Sequence, residues 1–393
     1  MQPYAWGSRE TIARLQGRPV PSPGPEAELW MGAHPSAPSG LERDGRPTTL
    51  DAVITADAPG VLGAQVAARF GSRLPFLLKV LSASKALSIQ VHPSRAQAQA
   101  GYREENERGL APGDKGRNYV DDWPKPEILC ALTPFEVLAG LRAPADAARF
   151  MRELAVPELE PLAALLAGDR ADARGDVRAT VLARVLSWPA GQREALIRDV
   201  VKACHQEVDD YGPYHPECGA IIQVAGDHPG DLGIVASLLM RHAVLQPGQA
   251  VFLPAGGLHA YLHGTGIELL ANSDNVVRAG LTGKHIDIPE LLKLTDPAVE
   301  VPLIAPRDLG NGIAAYDTPA PEFRLYRAAL GAGPVTLPGD GPRLVLSVDG
   351  TLTLTAAGAT LKLGQGESAF LSAADATVTA AGPAEAFIAT VGG

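Results

Sequence analysis

Short runs of apolar residues, broken by Gly and Pro, fill the first third of the chain. Leu74–Leu81, Leu87–Val91 and Ile128–Leu132 are examples, and runs of this length predict strands. From Pro144 to Glu207 the rhythm changes. Ala, Leu and Arg dominate Pro157–Leu166, Asp176–Leu186 and Gln192–Cys204, with apolar residues three and four apart. That spacing predicts a helical insert, with Pro189 near a helix start. Residues 209–231 are rich in Gly, Pro, Asp and Tyr and read as a linking region. Strand-like runs return at Ala243–Leu253 and Gly266–Leu270. Beyond Asp317 the chain reads as short strands almost throughout: Leu344–Val348, Leu352–Thr355, Ala369–Leu371 and Ala376–Thr379. Such a series fits a small sandwich or barrel.

A faint repeat links the two β-rich parts. Gly248-Gln-Ala-Val-Phe-Leu-Pro254 returns in rhythm as Gly366-Glu-Ser-Ala-Phe-Leu-Ser372. Two related β-barrels, the second degenerate, explain it; a chance match between two β-turn-β sequences is the alternative. The expected architecture is mainly β with an α-helical insert. Residues 1–143 and 208–316 form the first β unit, 144–207 the helical insert, and 317–393 a degenerate second β unit.

Composition narrows the function. The chain has 393 residues, 46% hydrophobic and 20% charged, in the range of an ordinary globular protein of two or three domains. No apolar run approaches the about 20 residues of a membrane span. Met1–Gly7 lacks the basic head and apolar middle of a secretory signal. Cys130, Cys204 and Cys218 are too few for a disulfide framework, so a reducing cytoplasm is the expected home. A net charge of −10 argues against a general nucleic-acid binder. An anionic small-molecule substrate would need a locally basic site inside this acidic chain.

Three fragments carry metal-ligand chemistry. In Leu87-Ser88-Ile89-Gln90-Val91-His92, alternation sends Ser88, Gln90 and His92 to one face of a strand. Taken alone, that face also fits a solvated surface. In the second fragment, Gly248, Pro254, Gly256 and His259 follow the spacing of the second cupin motif, in which a tight turn aims a histidine into a small barrel. His263 stands where many cupins carry Asn. The first cupin motif, normally His-x-His with a nearby Glu, is represented by Gln90-x-His92 without that Glu. Lys125-Pro126-Glu127 supplies a carboxylate at the start of an apolar run. Gln90, His92, Glu127 and His259 together offer an amide oxygen, two imidazoles and a carboxylate. That set suits one zinc ion with an open position, and other divalent metals such as iron, manganese or cobalt also fit it.

With these fragments the sequence resembles the type I phosphomannose isomerases. The resemblance runs through Tyr4-Ala-Trp-Gly-Ser8, Ala27-Glu-Leu-Trp-Met-Gly-Ala-His-Pro35, Leu74–Leu81, Leu87–Pro93, Lys125-Pro-Glu127, Leu132-Thr-Pro-Phe135 and Ala271–Thr282. The last 80 or so residues match only loosely. The resemblance implies two cupin-like (jelly-roll) barrels with a helical domain inserted. It also implies zinc held by Gln90, His92, Glu127 and His259, with Arg278 as a catalytic arginine. The implied reaction interconverts mannose 6-phosphate and fructose 6-phosphate, an aldose-ketose isomerisation in mannose metabolism. Two positions depart from the family. Pro124 replaces the histidine usual before Lys-Pro-Glu, which removes a proton shuttle there. Gly283 replaces a common proline before Lys284, which loosens that loop.

The reaction moves a proton between C2 and C1 through an enediol and needs a base and nearby cations. Glu268, a charge inside Gly266–Leu270, is the candidate base; a structural pair with Lys or Arg is its other reading. Arg278 and Lys125 are the other catalytic candidates, and Ser88, Lys79 and Lys284 the substrate-binding ones. Ala279 and Gly280 are read as letting substrate come close to Arg278. His34 reads as packing, His205 as an ordinary helix residue, and Asp274 and Asn275 as shaping the turn that presents Arg278. An isomerase or epimerase of another sugar phosphate and a non-catalytic sugar-binding cupin are the competing functions. The second should lack a full ligand set and the Arg278 stretch. The sequence leaves the oligomeric state open, a monomer included.

Overall fold

A computed structural model describes residues 1–43, 45–168 and 176–393. The part of the helical insert at 169–175 lies outside them. The first barrel is built from β1 (Glu28–Gly32), the hairpin β2 (Gly40–Arg43) and β3 (Arg46–Thr49), β4 (Phe76–Ala83), β5 (Ile89–Val91), β6 (Glu127–Ala131), β7 (Phe135–Leu141), β8 (Met240–Leu245), β9 (Ala250–Leu253), β10 (His259–Ala271), β11 (Val277–Gly280) and β12 (Leu303–Ile304). The path β1-β4-β10-β6-β9-β12 forms one wall. The long strand β10 bends into the other, where it pairs β5 and β7. The second barrel contains β13 (Arg307–Gly310), β14 (Ile313–Tyr316), β15 (Arg324–Leu330), β16 (Val335–Thr336), β17 (Arg343–Gly350), β18 (Leu352–Ala356), β19 (Ala359–Leu363), β20 (Ser368–Leu371), β21 (Thr379–Ala381) and β22 (Ala384–Thr390). Its sheets are β13-β14-β15-β22-β17-β20 and β16-β21-β18-β19.

Alternation along the shared strands explains how the barrels stack. Leu81, Leu129 and Leu253 point into the first barrel with Phe135 and Tyr261. Their neighbours Phe76, Leu78, Val80, Ile128, Cys130, Ile267 and Leu269 point out and meet Tyr316, Phe323, Leu325, Leu344, Leu346 and Phe387 of the second barrel. The second barrel has its own interior around Val345, Leu352, Val378 and Ile388.

The repeat seen in the sequence is present strand for strand. In both barrels a glycine at positive φ, Gly248 (86°) and Gly366 (78°), turns the chain into the matching strand. The turn before each carries the same pair of bonds: Gln249 N–H to Gln246 O with Gln246 N–H to the Gln249 side chain, and Glu367 N–H to Gly364 O with Gly364 N–H to the Glu367 side chain. The registers also agree. Glu127 faces Leu253 and Leu270, as Arg343 faces Leu371 and Thr390. Arg343 therefore stands where the first barrel has Glu127. The same registers put Tyr326 at the place of Lys79 and Ile388 at the place of Glu268. Arg343 is fully buried and donates to Gly339 O at 2.8 Å and to Asp375 O.

Helices cover the barrel. The first unit, read as strands, also holds α1 (Thr11–Leu15), α2 (Leu50–Ala56), α3 (Ala58–Leu62), α4 (Ala64–Phe70) and α5 (Arg95–Glu107). The first four are at most seven residues long, too short to show a 3.6-residue period. α5 starts at a capping box in which Ser94 and Gln97 cap each other. The insert contributes α6 (Pro144–Glu153), α7 (Glu160–Ala167), α8 (Val177–Leu186), α9 (Arg193–Asp209), α10 (His215–Asp227) and α11 (Gly233–Ala236), and α12 (Ile288–Leu294) follows it. The helical run thus passes the boundary expected at 207, and much of the expected link at 209–231 is α10. Pro216 is tolerated because it sits in the first turn of α10, where its missing N–H has no intrahelical partner to lose. Phe150, Leu182, Val200, Cys204, Cys218 and Ile221 make a core that continues to Ile89 and Val91 of β5. Among the described residues, no helix is long and apolar enough to cross a membrane.

Candidate active site

Three adjacent strands set one side of the site. β5 lies between β10 and β11, and its Gln90 is opposite both His259 and Arg278. Residues directly opposite in antiparallel strands share a face, so His259, Gln90 and Arg278 form a row pointing the same way. A second row crosses the other wall: Trp30 opposite Lys79, Lys79 opposite Glu268, and Glu268 opposite Leu129, two residues along β6 from Glu127. The rows meet at a cleft of about 630 Å³ lined by Lys79, Ser88, Gln90, Lys125, Glu127, Glu268, Arg278 and Lys284. All of the sequence-derived site residues gather here, with His92 and His259 buried beside Glu127.

His92, Glu127 and His259 place ligand atoms within 4.8 Å of one another, each on a residue at most 2% exposed. His92 Nδ1–H donates to Asn275 O at 2.8 Å, and His259 Nδ1–H to Gly257 O at 3.0 Å. Those bonds fix both tautomers and leave each Nε2 with a bare lone pair. His92 Nε2 lies 3.3 Å from Glu127 Oε1, and His259 Nε2 lies 3.7 Å from Oε2. Both Nε2 atoms and Glu127 Oε2 are buried without a hydrogen-bond partner. Burial lowers both imidazole pKa values, that of His259 to about 4 with His92 beside it. Burial alone would raise the Glu127 carboxyl, but His92, Lys125 and His259 hold it well below the usual range. At neutral pH an ionised carboxylate therefore faces two unprotonated nitrogens. A cation satisfies all three, so the residues fit a metal of the His-His-carboxylate kind.

The rest of the cleft separates charges. Lys79 is buried, with Glu268 at 3.0 Å, Glu28 at 3.4 Å and the Trp30 ring at 5.1 Å. Burial would lower its pKa, but Glu268, Glu28 and Glu127 hold it above the ordinary lysine value. Burial pushes the Glu268 carboxyl up to about 7, against Lys79 and with help from Glu127 and Glu28. Lys125 lies 3.2 Å from Glu127 Oε1. On the opposite side Arg278 has no ion pair among the described residues, and burial lowers its pKa. Lys284 is lowered first by Arg278 and then by burial. Two cations left facing each other without a carboxylate make a place for an anion.

Several residues behave differently from the sequence reading, or were missed. Gly280 is not a gap for substrate: a Cβ there would lie 2.7 Å from Gly233 Cα of the insert, and Ala279 is buried. Glu28, Trp30 and Tyr261 line the cleft without having been singled out. The parity of Tyr261 with His259 along β10 was the available signal. Pro124 is buried. Next to it, Asp121 and the Trp123 carbonyl are tied to Ser273 and Asn275, which fixes the carbonyl that receives His92. His34 is buried against Trp30 at 4.8 Å and lies 3.3 Å from Asp274. His205 is exposed on α9.

A jelly-roll pair with an imidazole-carboxylate centre beside a cation-lined cleft defines a cupin-type metalloenzyme site. Residues 1–144 match the model of the phosphomannose isomerase type I catalytic domain. Mannose-6-phosphate isomerase of Escherichia coli (strain K12) is 35% identical over 388 residues, covering 97% of this chain and 95% of that protein. The Mus musculus enzyme of the same name is 34% identical over 385 residues, covering 90% of this chain and 86% of that protein. A crystal structure of mannose 6-phosphate isomerase from Salmonella typhimurium bound to substrate (f6p) and zinc superposes with a TM-score of 0.87 at 33% identity, covering 100% of this chain and 97% of that one. The chain belongs to the type I phosphomannose isomerase family.

Proposed function

We propose that this chain interconverts mannose 6-phosphate and fructose 6-phosphate, with one zinc ion held by Gln90, His92, Glu127 and His259. The observation that carries the reading is the set of three buried ligand atoms that have no hydrogen-bond partner among the described residues, beside a cleft that also holds Glu268 and the cations Arg278 and Lys284. It agrees with what the relatives are named for and with the substrate and zinc in the related crystal structure. When bound, zinc supplies a Lewis acid next to the sugar oxygens. The chain does the rest. Glu268 takes the C2 proton of mannose 6-phosphate, leaving an enediolate, and returns it to C1, while the proton on O2 passes to O1 with Lys125 as the nearby charged group. Lys79 steadies Glu268. Ser88 and Lys284 bind substrate, Lys284 at the anionic end. Arg278, whose guanidinium stays charged and can meet two oxygens at once, faces the developing negative charge. Every residue in this scheme comes from one chain, and the three buried free thiols suit a reducing cytoplasm.

The deciding test is mannose 6-phosphate turnover in the chelated protein, then with each divalent metal restored. Zinc should restore it, and turnover that survives complete metal removal overturns the reading. Arg278 gives a finer test. Arg278→Lys keeps a charge but loses the planar fork, so turnover should fall by about 10²-fold while the Michaelis constant moves little. A raised Michaelis constant with turnover kept would instead assign Arg278 to the phosphate. Normal kinetics in a less heat-stable protein would assign it to bracing.

A further inference from the structure

One segment of the helical insert, Asp227 to Asp231 at the end of α10, touches both lips of the cleft. On one lip, Asp227 Oδ2 accepts from Ala86 N–H at 2.9 Å and His228 Nε2–H donates to Ala86 O at 2.7 Å. Ala86 is thus held at both ends of its backbone, two residues before Ser88. Leu87 N–H donates to Tyr261 O at 2.8 Å, which anchors the same lip to β10. On the other lip, Asp231 Oδ2 accepts from Thr282 N–H at 3.0 Å, two residues before Lys284, while its Oδ1 accepts from Gly233 N–H at 2.7 Å. The backbones meet there directly. A Cβ on Gly280 (φ 145°) would lie 2.7 Å from Gly233 Cα, and one on Gly233 would lie 2.7 Å from Leu281 N. Only glycine allows that approach. Asp227 and His228 themselves line the cleft.

We infer that the Asp227–Asp231 segment is a positioning brace that sets the gap between Ser88 and Lys284, and so the grip on the phosphate end of the substrate. The inference rests on the sugar-phosphate reading above. The brace meets β11 at its last residue, Gly280, while Arg278, two residues earlier, is paired with Gln90 of β5. The brace should therefore act on binding rather than on the proton transfers. Both Asp231 oxygens are engaged, and an asparagine offers only one acceptor, so Asp231→Asn must give up one of the two bonds through which Asp231 ties Thr282 to Gly233. Asp227 accepts its bond from Ala86 N–H through one oxygen, so Asp227→Asn can keep it through its amide oxygen while Asp227→Ala cannot.

The test compares these three variants as full-length zinc-loaded protein. It measures mannose 6-phosphate kinetics, zinc content, and inorganic phosphate affinity by calorimetry. Asp231→Asn and Asp227→Ala should each raise the Michaelis constant and the phosphate dissociation constant about tenfold, the scale of one lost charge-assisted hydrogen bond. Turnover should stay within about threefold and zinc at one per chain, with Asp227→Asn close to wild type. Unchanged phosphate affinity and Michaelis constant in folded variants, with only the melting temperature lowered, would overturn the brace. So would equal damage in Asp227→Asn and Asp227→Ala. If Asp231→Asn does not fold, the Asp227 pair decides. Wild-type protein that binds phosphate but does not turn over mannose 6-phosphate would sink the activity reading, and phosphate affinity alone would then judge the brace.

Discussion

His259→Ala should lose its zinc and about 10³-fold or more of its turnover, the loss expected when several kcal/mol of transition-state stabilisation disappear. The site explains why one ligand is decisive. His92, Glu127 and His259 are almost wholly buried, and their free atoms face one another without other partners. Alanine at 259 leaves His92 Nε2 and the Glu127 carboxylate without the third of these donors, in a place water reaches poorly. The outcome is read by metal analysis and by activity at saturating zinc. Stoichiometric zinc with intact turnover would remove His259 from the ligand set. Replacing Asn275 should be milder. Its side chain fixes the loop at Asp121–Trp123 and its carbonyl orients His92, and losses of 10–100-fold are typical for such outer partners.

Glu268→Gln should keep zinc and fall by about 10²-fold or more in turnover, the usual scale of general base catalysis. Glutamine keeps the shape and can still face Lys79, but it cannot accept a proton. The pH dependence has a definite sign. A base works ionised, so wild-type turnover should fall as pH drops through the Glu268 range, which burial and the neighbouring carboxylates place at about 7. A divalent cation beside Glu127 draws that limb to lower pH. The residual activity of Glu268→Gln should lack the limb. Near-normal turnover, or an unchanged acid limb, would return Glu268 to the structural role of holding Lys79.

Local pattern carried much of this site. The alternation around Ile89 put Gln90 and His92 on one face because a strand leaves no other choice, and the turn at Gly248 led to His259 for the same kind of reason. The Lys79–Glu268 pair was not legible as a pair. The two lie far apart in sequence, and only the register of β4 and β10 sets them opposite. The fold departs from the sequence pattern where Gly and Pro suggest a link, at α10. Gly219 and Gly226 lie within α10, where added side chains would meet open space, so the helix bears them without strain on its packing. The brace left no sequence signal. A carboxylate that accepts a backbone N–H from a distant loop imposes no periodicity and no motif, so Asp227 and Asp231 looked like ordinary polar residues in a turn-rich stretch.

Arg343 divides the molecule by its dependence on supply. In the first barrel the charge that would hold Glu127 and the histidines together is a metal ion, taken from outside the chain. In the second barrel the corresponding charge is tethered to the backbone through Arg343 and bonded to the carbonyls of Gly339 and Asp375. Starvation for zinc can empty the first and cannot touch the second. The interior charge of the second barrel is part of the chain and is made with it.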